Sequence, residues 1–95
     1  MDNENIVVLL TAEDEVEYIV LDDTDYVMQI EKLLGGELFF MEAIDGFLAF
    51  NRDAKLQKLP FNEGASVSTG CAVYGNMVHI PDSVYRKGIT NGKEN

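Results

Sequence analysis

Asp45-Gly46, set between Glu37–Ile44 and Phe47–Asn51, constrains this chain more than any other feature. Asp-Gly suits a type I′ turn, whose twist matches two antiparallel strands, and the flanking runs are rich in apolar and aromatic residues. A two-residue turn pairs Ile44 with Phe47, Ala43 with Leu48, Glu42 with Ala49 and Met41 with Phe50. Alternation then places Phe39, Met41, Ala43, Leu48 and Phe50 on one face, which is expected to meet the core. The opposite face carries Phe40, Glu42, Ile44, Phe47, Ala49 and Asn51 and is too apolar for open solvent. Another element or another chain is expected to cover it, which makes Phe40, Ile44 and Phe47 candidate residues of a homo-oligomer interface.

The rest of the chain supplies elements to pack on that hairpin. Ile6–Leu10 is an unbroken apolar run, read as a short strand buried on both faces. Thr11–Glu15 breaks it. Val16–Leu21 alternates, with Val16, Tyr18 and Val20 on one face and Glu17 on the other, and reads as a second strand. Asp22-Asp23-Thr24-Asp25 offers helix caps before a stripe of Tyr26, Val27, Ile30, Leu33 and Leu34, and Gly35-Gly36 supplies the stop. Arg52–Lys55 reads as a turn, Leu56–Leu59 as a short edge segment ended by Pro60, and Phe61–Ser68 as loop. Thr69–Tyr74 and Met77–Ile80 around Gly75-Asn76 form a second expected hairpin. Beyond Pro81, charge, glycine and asparagine rise, so residues 1–87 are read as the domain and 88–95 as a flexible tail. The expectation is a single small α+β domain, β-β-α-β-β followed by one or two more strands, with one helix packed on a mainly antiparallel sheet.

Charge is placed unevenly. The 95 residues hold 17 acids and 7 bases, a net charge of −10. Residues 1–45 carry thirteen acids and one base; residues 46–95 carry four acids and six bases. A chain so acidic does not bind nucleic acid directly through phosphate neutralisation. The densest stretch is Glu13, Asp14, Glu15, Glu17, Asp22, Asp23 and Asp25. If Glu13–Glu17 is extended, Glu13, Glu15 and Glu17 project from one face about 6.6 Å apart, a repeat comparable to successive phosphates. Such a row fits a basic nucleic-acid-binding surface on a host protein. The plainer readings are that Asp22–Asp25 serve a helix N-terminus and Glu13–Glu15 solvate a turn. Asp22-Asp23-Thr24-Asp25 lacks the spacing of a calcium loop, and no metal site is expected.

Catalysis has little to work with. His79 is the only histidine and lies in an apolar strand, where a packed or surface-facing imidazole is expected. Ser66 and Ser68 add nothing specific to it, since acids are abundant everywhere. The chain has no G-x-S-x-G, H-E-x-x-H, C-x-x-C or phosphate-loop pattern. The single cysteine, Cys71, is expected to pack rather than react, and it excludes a disulfide framework. No cofactor is expected. A second candidate site is the basic and amide-rich stretch Arg52, Lys55, Lys58 and Asn62, which suits a small nucleotide held between protomers; its plainer role is to neutralise the acidic half. The longest apolar run has five residues and Met1-Asp2-Asn3-Glu4 has no basic leader, so a cytoplasmic protein without membrane contact is expected.

Tyr18-Ile19-Val20, a helix ending Leu33-Leu34-Gly35-Gly36-Glu37-Leu38, a hairpin leading into Asn51-Arg52-Asp53-Ala54-Lys55-Leu56, and Leu59-Pro60-Phe61-Asn62 follow one another in an order seen before. In that order the chain resembles a family of small domains of unknown function from phages and other mobile elements. Ala54 departs from the turn glycine of that pattern, and Thr69-Gly70-Cys71-Ala72 departs from its closing strand. The resemblance implies a small accessory protein without enzymatic activity. The expected function is host-defence inhibition, of the anti-CRISPR or anti-restriction sort, through an acidic surface that imitates nucleic acid. The alternatives are an oligomeric sponge for a nucleotide immune signal and a non-catalytic assembly protein.

Overall fold

Asp25 starts the helix and Gly35 stops it, as the sequence predicts. In the computed structural model, which describes residues 5–90, the Asp25 carboxylate accepts a hydrogen bond from the Met28 N–H at the head of α1 (Tyr26–Leu34), and Gly35 closes α1 with a φ of 83°. That left-handed conformation is open to glycine and lets its N–H return to the Glu31 carbonyl. The stripe Tyr26, Ile30 and Leu34 is buried.

The remaining elements are β1 (Ile6–Leu10), β2 (Val16–Val20), β3 (Leu38–Ala43), β4 (Gly46–Asn51), α2 (Glu63–Thr69), β5 (Met77–Pro81), α3 (Asp82–Tyr85) and a π-helical turn at Arg86–Thr90. The five strands make one antiparallel sheet in the order β2-β1-β5-β4-β3. Two hairpins form its edges, and β5 enters last to join them. This is an α+β domain.

The principal core lies on one face of this sheet. Val7, Leu9, Ala49, Val78 and Ile80 point at it from the strands, and Tyr26, Ile30, Leu34, Val84 and Ile89 close it from the helices. Ile30 and Ile80 are fully buried, and each contributes about 1.5–3 kcal/mol by leaving water. A smaller cluster of Phe50, Ala65, Val73 and Met77 sits on the opposite face under α2.

Several sequence expectations need correction. The β3–β4 turn falls on Ile44-Asp45, one residue early, so Ala43 faces Gly46, Met41 faces Leu48 and Phe39 faces Phe50. Gly46 is used inside the sheet: a Cβ there would lie 2.2 Å from the Ile80 carbonyl oxygen. Each partner is shifted by two residues, which preserves the face every side chain takes. The apolar face that needed a cover receives it from its own chain. Tyr85 stacks on Phe47 with ring centroids 3.8 Å apart and meets Phe40 edge-on at 5.7 Å. The face expected to meet the core is the less covered one. β1 is buried at Val7 and Leu9 and only half-buried at Ile6, Val8 and Leu10, so it is not covered on both faces.

In the second half, Glu63–Thr69 is a helix rather than loop, and Thr69–Tyr74 forms no strand beyond a single bridge between Phe61 and Tyr74. Leu56 sits exposed in a run of turns, not on a sheet edge. The domain also continues past residue 87. Ile89 is buried in the principal core, and Gly88 lies so close to Tyr26 that a Cβ would overlap its ring. Of the expected tail, residues 91–95 fall outside the described residues.

Candidate functional site

The sheet has one face closed by helices and one that is largely open. Register places Tyr18, Val8, His79, Leu48 and Met41 in one row across all five strands of the open face. The neighbouring row is Val16, Leu10, Met77, Phe50 and Phe39. Only the middle of the second row is roofed, by α2 and the Val73 segment. On the edge strand β2, Val16, Tyr18 and Val20 remain 57%, 73% and 65% exposed. Scattered exposed apolar residues are ordinary, but three in a row continuous with a half-buried apolar sheet make a patch. The outer backbone edge of β2 has no partner strand among the described residues.

Six of the seven acids expected to act together flank this strand, and Glu17 lies within it. All of Glu13, Asp14, Glu15, Glu17, Asp22, Asp23 and Asp25 are exposed, and none pairs with a base among the described residues. They do not form a straight row. Glu13–Glu15 belong to a tight turn in which Thr11 Oγ1 accepts from the Glu13 and Glu15 N–H groups, and Asp14 takes a φ of 69°. The extended repeat of carboxylates therefore gives way to two clusters, one at each end of β2. Asp25 caps α1, and Asp23 accepts a hydrogen bond from the buried Tyr26 hydroxyl at 3.3 Å. Burial and the Asp23 charge push the Tyr26 hydroxyl above its ordinary pKa.

The fold adds a third carboxylate that sequence reading missed. The head of α2 comes against the β1–β2 turn, and Glu13, Asp14 and Glu63 surround a hollow of about 620 Å³ whose apolar walls are Phe61 and Val67. Gly64 permits the approach, because a Cβ there would lie 3.1 Å from Asp14 Oδ1. Acidic rim and apolar wall together suit the stem and head of a lysine or arginine.

No family model, curated protein or solved structure matches the chain.

The basic candidates are divided by the fold. Asn62 is fully buried: Oδ1 accepts from the Ala65 N–H, and Nδ2 donates to the Leu10 and Gly75 carbonyls at 3.2 and 2.9 Å. With every polar atom engaged it holds α2 to β1 and is not open to a ligand. Lys58 is exposed on a turn with a φ of 59°. Arg52 and Lys55 do come together, along a cleft of about 470 Å³. Arg52 pairs with Glu37 at 2.6 Å, and Lys55 Nζ lies 5.7 Å from the Tyr74 ring centroid. Cys71, expected to pack, is exposed at the same cleft.

Phe40, Ile44 and Phe47 are not one open patch either. Tyr85 covers the two phenylalanines, and Ile44 stands alone at the turn tip. His79 Nε2 lies 3.0 Å from Asp45 Oδ1, and this hydrogen bond holds the Asp45 carboxyl below its usual range. Among the described residues no group of three or more His, Cys, Asp or Glu side chains is placed to hold a metal ion. Among the same residues no helix is long and apolar enough to cross a membrane.

Proposed function

We propose that the protein is a non-catalytic binding protein whose partner is a protein with a basic, partly apolar surface. The observation that carries this reading is the exposed strip Val16, Tyr18 and Val20 with carboxylate clusters at both of its ends. Tyrosine is a frequent anchor of protein interfaces, giving a large contact area at low entropic cost. The acids steer a basic partner onto it and select against acidic ones. A partner lysine or arginine enters the hollow between Glu13, Asp14 and Glu63 and lays its stem on Phe61 and Val67. Nucleic-acid-binding proteins of a host defence system offer surfaces of that chemistry. A small protein of phage or mobile-element type, acting in the host cytoplasm, fits as an inhibitor that occupies one. Imitation of the phosphate repeat is not required: the attraction comes from charge density and the anchoring from apolar contact.

The test is affinity capture from host lysate at low and high salt, using three forms of the protein checked for equal melting temperature. Wild type is expected to retain a basic nucleic-acid-binding protein that leaves as salt rises. Glu13→Lys/Asp14→Lys/Glu63→Lys and Val16→Ser/Tyr18→Ser are each expected to lose it. Capture that survives both sets of substitutions overturns the reading, as does a wild-type capture indifferent to salt.

A further inference from the structure

The cleft on the far side of the open face is built for a different kind of ligand. Its floor is apolar, formed by Phe39, Met41 and Phe50, with the Phe39 and Phe50 rings 6.3 Å apart and tilted. Val73 and Tyr74 form the wall, and Arg52 and Lys55 stand at the rim. At about 470 Å³ it falls within the range of small-molecule sites. Phe39 is 52% exposed there, an aromatic face left without cover.

The local charge runs against that of the whole chain. Residues 51–58 hold three bases and one acid in a protein of net charge −10. The Arg52–Glu37 pair is exposed on both sides and therefore weak. The guanidinium has five N–H donors, so a ligand carboxylate finds donors without displacing Glu37. Lys55 has no carboxylate partner among the described residues and rests over the Tyr74 ring. Two cations beside a largely apolar hollow cannot satisfy the several phosphates of a nucleotide signal, and Asn62 is unavailable to help. They do match one anionic group on a flat apolar body.

We infer that this cleft binds an amphipathic organic monoanion, an aryl or acyl carboxylate or sulfonate. Its apolar body lies on Phe39 and Phe50, and its anionic head lies between Arg52 and Lys55. The site is separate from the partner surface at β2 and stands or falls independently of it.

The probe is 8-anilinonaphthalene-1-sulfonate, titrated by fluorescence against the folded protein, with uncharged N-phenyl-1-naphthylamine for comparison. Cys71 at the cleft serves as a reporter through its rate of alkylation by iodoacetamide. The sulfonate is expected to bind at least about tenfold more tightly than the neutral compound and to slow Cys71 alkylation at saturation. Arg52→Gln and Lys55→Met are each expected to weaken the sulfonate about tenfold and leave the neutral compound unchanged. Glu37→Gln, which frees Arg52, is expected to strengthen it. Equal affinity for the two compounds overturns the inference. So does sulfonate binding that leaves Cys71 alkylation at its original rate, because the probe then sits elsewhere on the open sheet. Displacement of the probe by adenosine triphosphate at comparable affinity would also overturn the ligand class.

Discussion

Replacing Asn62 with alanine separates a structural amide from a ligand-binding one. The side chain makes three hydrogen bonds, all to backbone: from the Ala65 N–H at 3.0 Å, to Leu10 O at 3.2 Å and to Gly75 O at 2.9 Å. Each neutral bond contributes about 1 kcal/mol net, and a buried group left unpaired costs about 1–3 kcal/mol. Three such losses come to about 3 kcal/mol at the low end. At roughly 0.05–0.15 kcal/mol per residue, a 95-residue chain has only about 5–14 kcal/mol of total stability. About 4–8 °C is lost per kcal/mol in a domain of this size, so Asn62→Ala should melt about 12–24 °C below wild type by circular dichroism. Asn62→Asp should fall at least as far. It keeps the cap on Ala65 but replaces the donor with a carboxylate oxygen aimed at two carbonyl oxygens. A fall of less than about 5 °C in either variant would refute the assignment. Loss of small-molecule binding at an unchanged melting temperature would refute it as well.

Gly88→Ala drives a methyl into the buried Tyr26 ring, 1.8 Å from Cδ2; overpacking of that kind costs about 3 kcal/mol and should appear as lost thermal stability, whereas a neutral result would place residues 86–90 off the core. The Tyr26 hydroxyl, raised by burial and then by Asp23, links stability to pH. A raised folded-state pKa means stability is full below the ordinary tyrosine pKa of about 10 and is lost as pH climbs through the folded value. Denaturant midpoints measured from neutral to strongly alkaline pH should fall above about pH 10 in wild type and fall less in Tyr26→Phe; an identical alkaline slope in both would exclude Tyr26 as the cause.

The elements readable in advance were those whose signals are local. Asp25, the stripe through Leu34 and Gly35 encode start, face and stop of α1 within about three turns of helix. The first hairpin was legible as a hairpin but not in register, because Gly46 answers to Ile80, far along the chain. Alternation in Val16–Val20 revealed a strand without saying that its apolar face stays open. Helix α2 has recognisable caps in Asn62 and Gly70, yet Gly64, Ser66, Val67, Ser68 and Thr69 are poor helix formers, so propensity pointed to loop. The Gly88-Ile89 segment looked like a tail for the same reason: its composition is loose, and only Tyr26 and the core give it a place.

The acidic bias, helix α1 and the mainly antiparallel α+β plan were determined by the sequence itself, since charge count and short-range periodicity need no distant partner; the one helix expected became three once α2 and α3 found their places against the sheet. Tertiary structure alone decided where those charges and apolar side chains meet. It gathers Glu13, Asp14 and Glu63 around Phe61 and Val67. It places Arg52 and Lys55 beside Phe39 and leaves Tyr18 uncovered. Such groupings depend on which strands neighbour one another, and β5, the last strand among the described residues, sets that order by lying between the β1–β2 and β3–β4 hairpins.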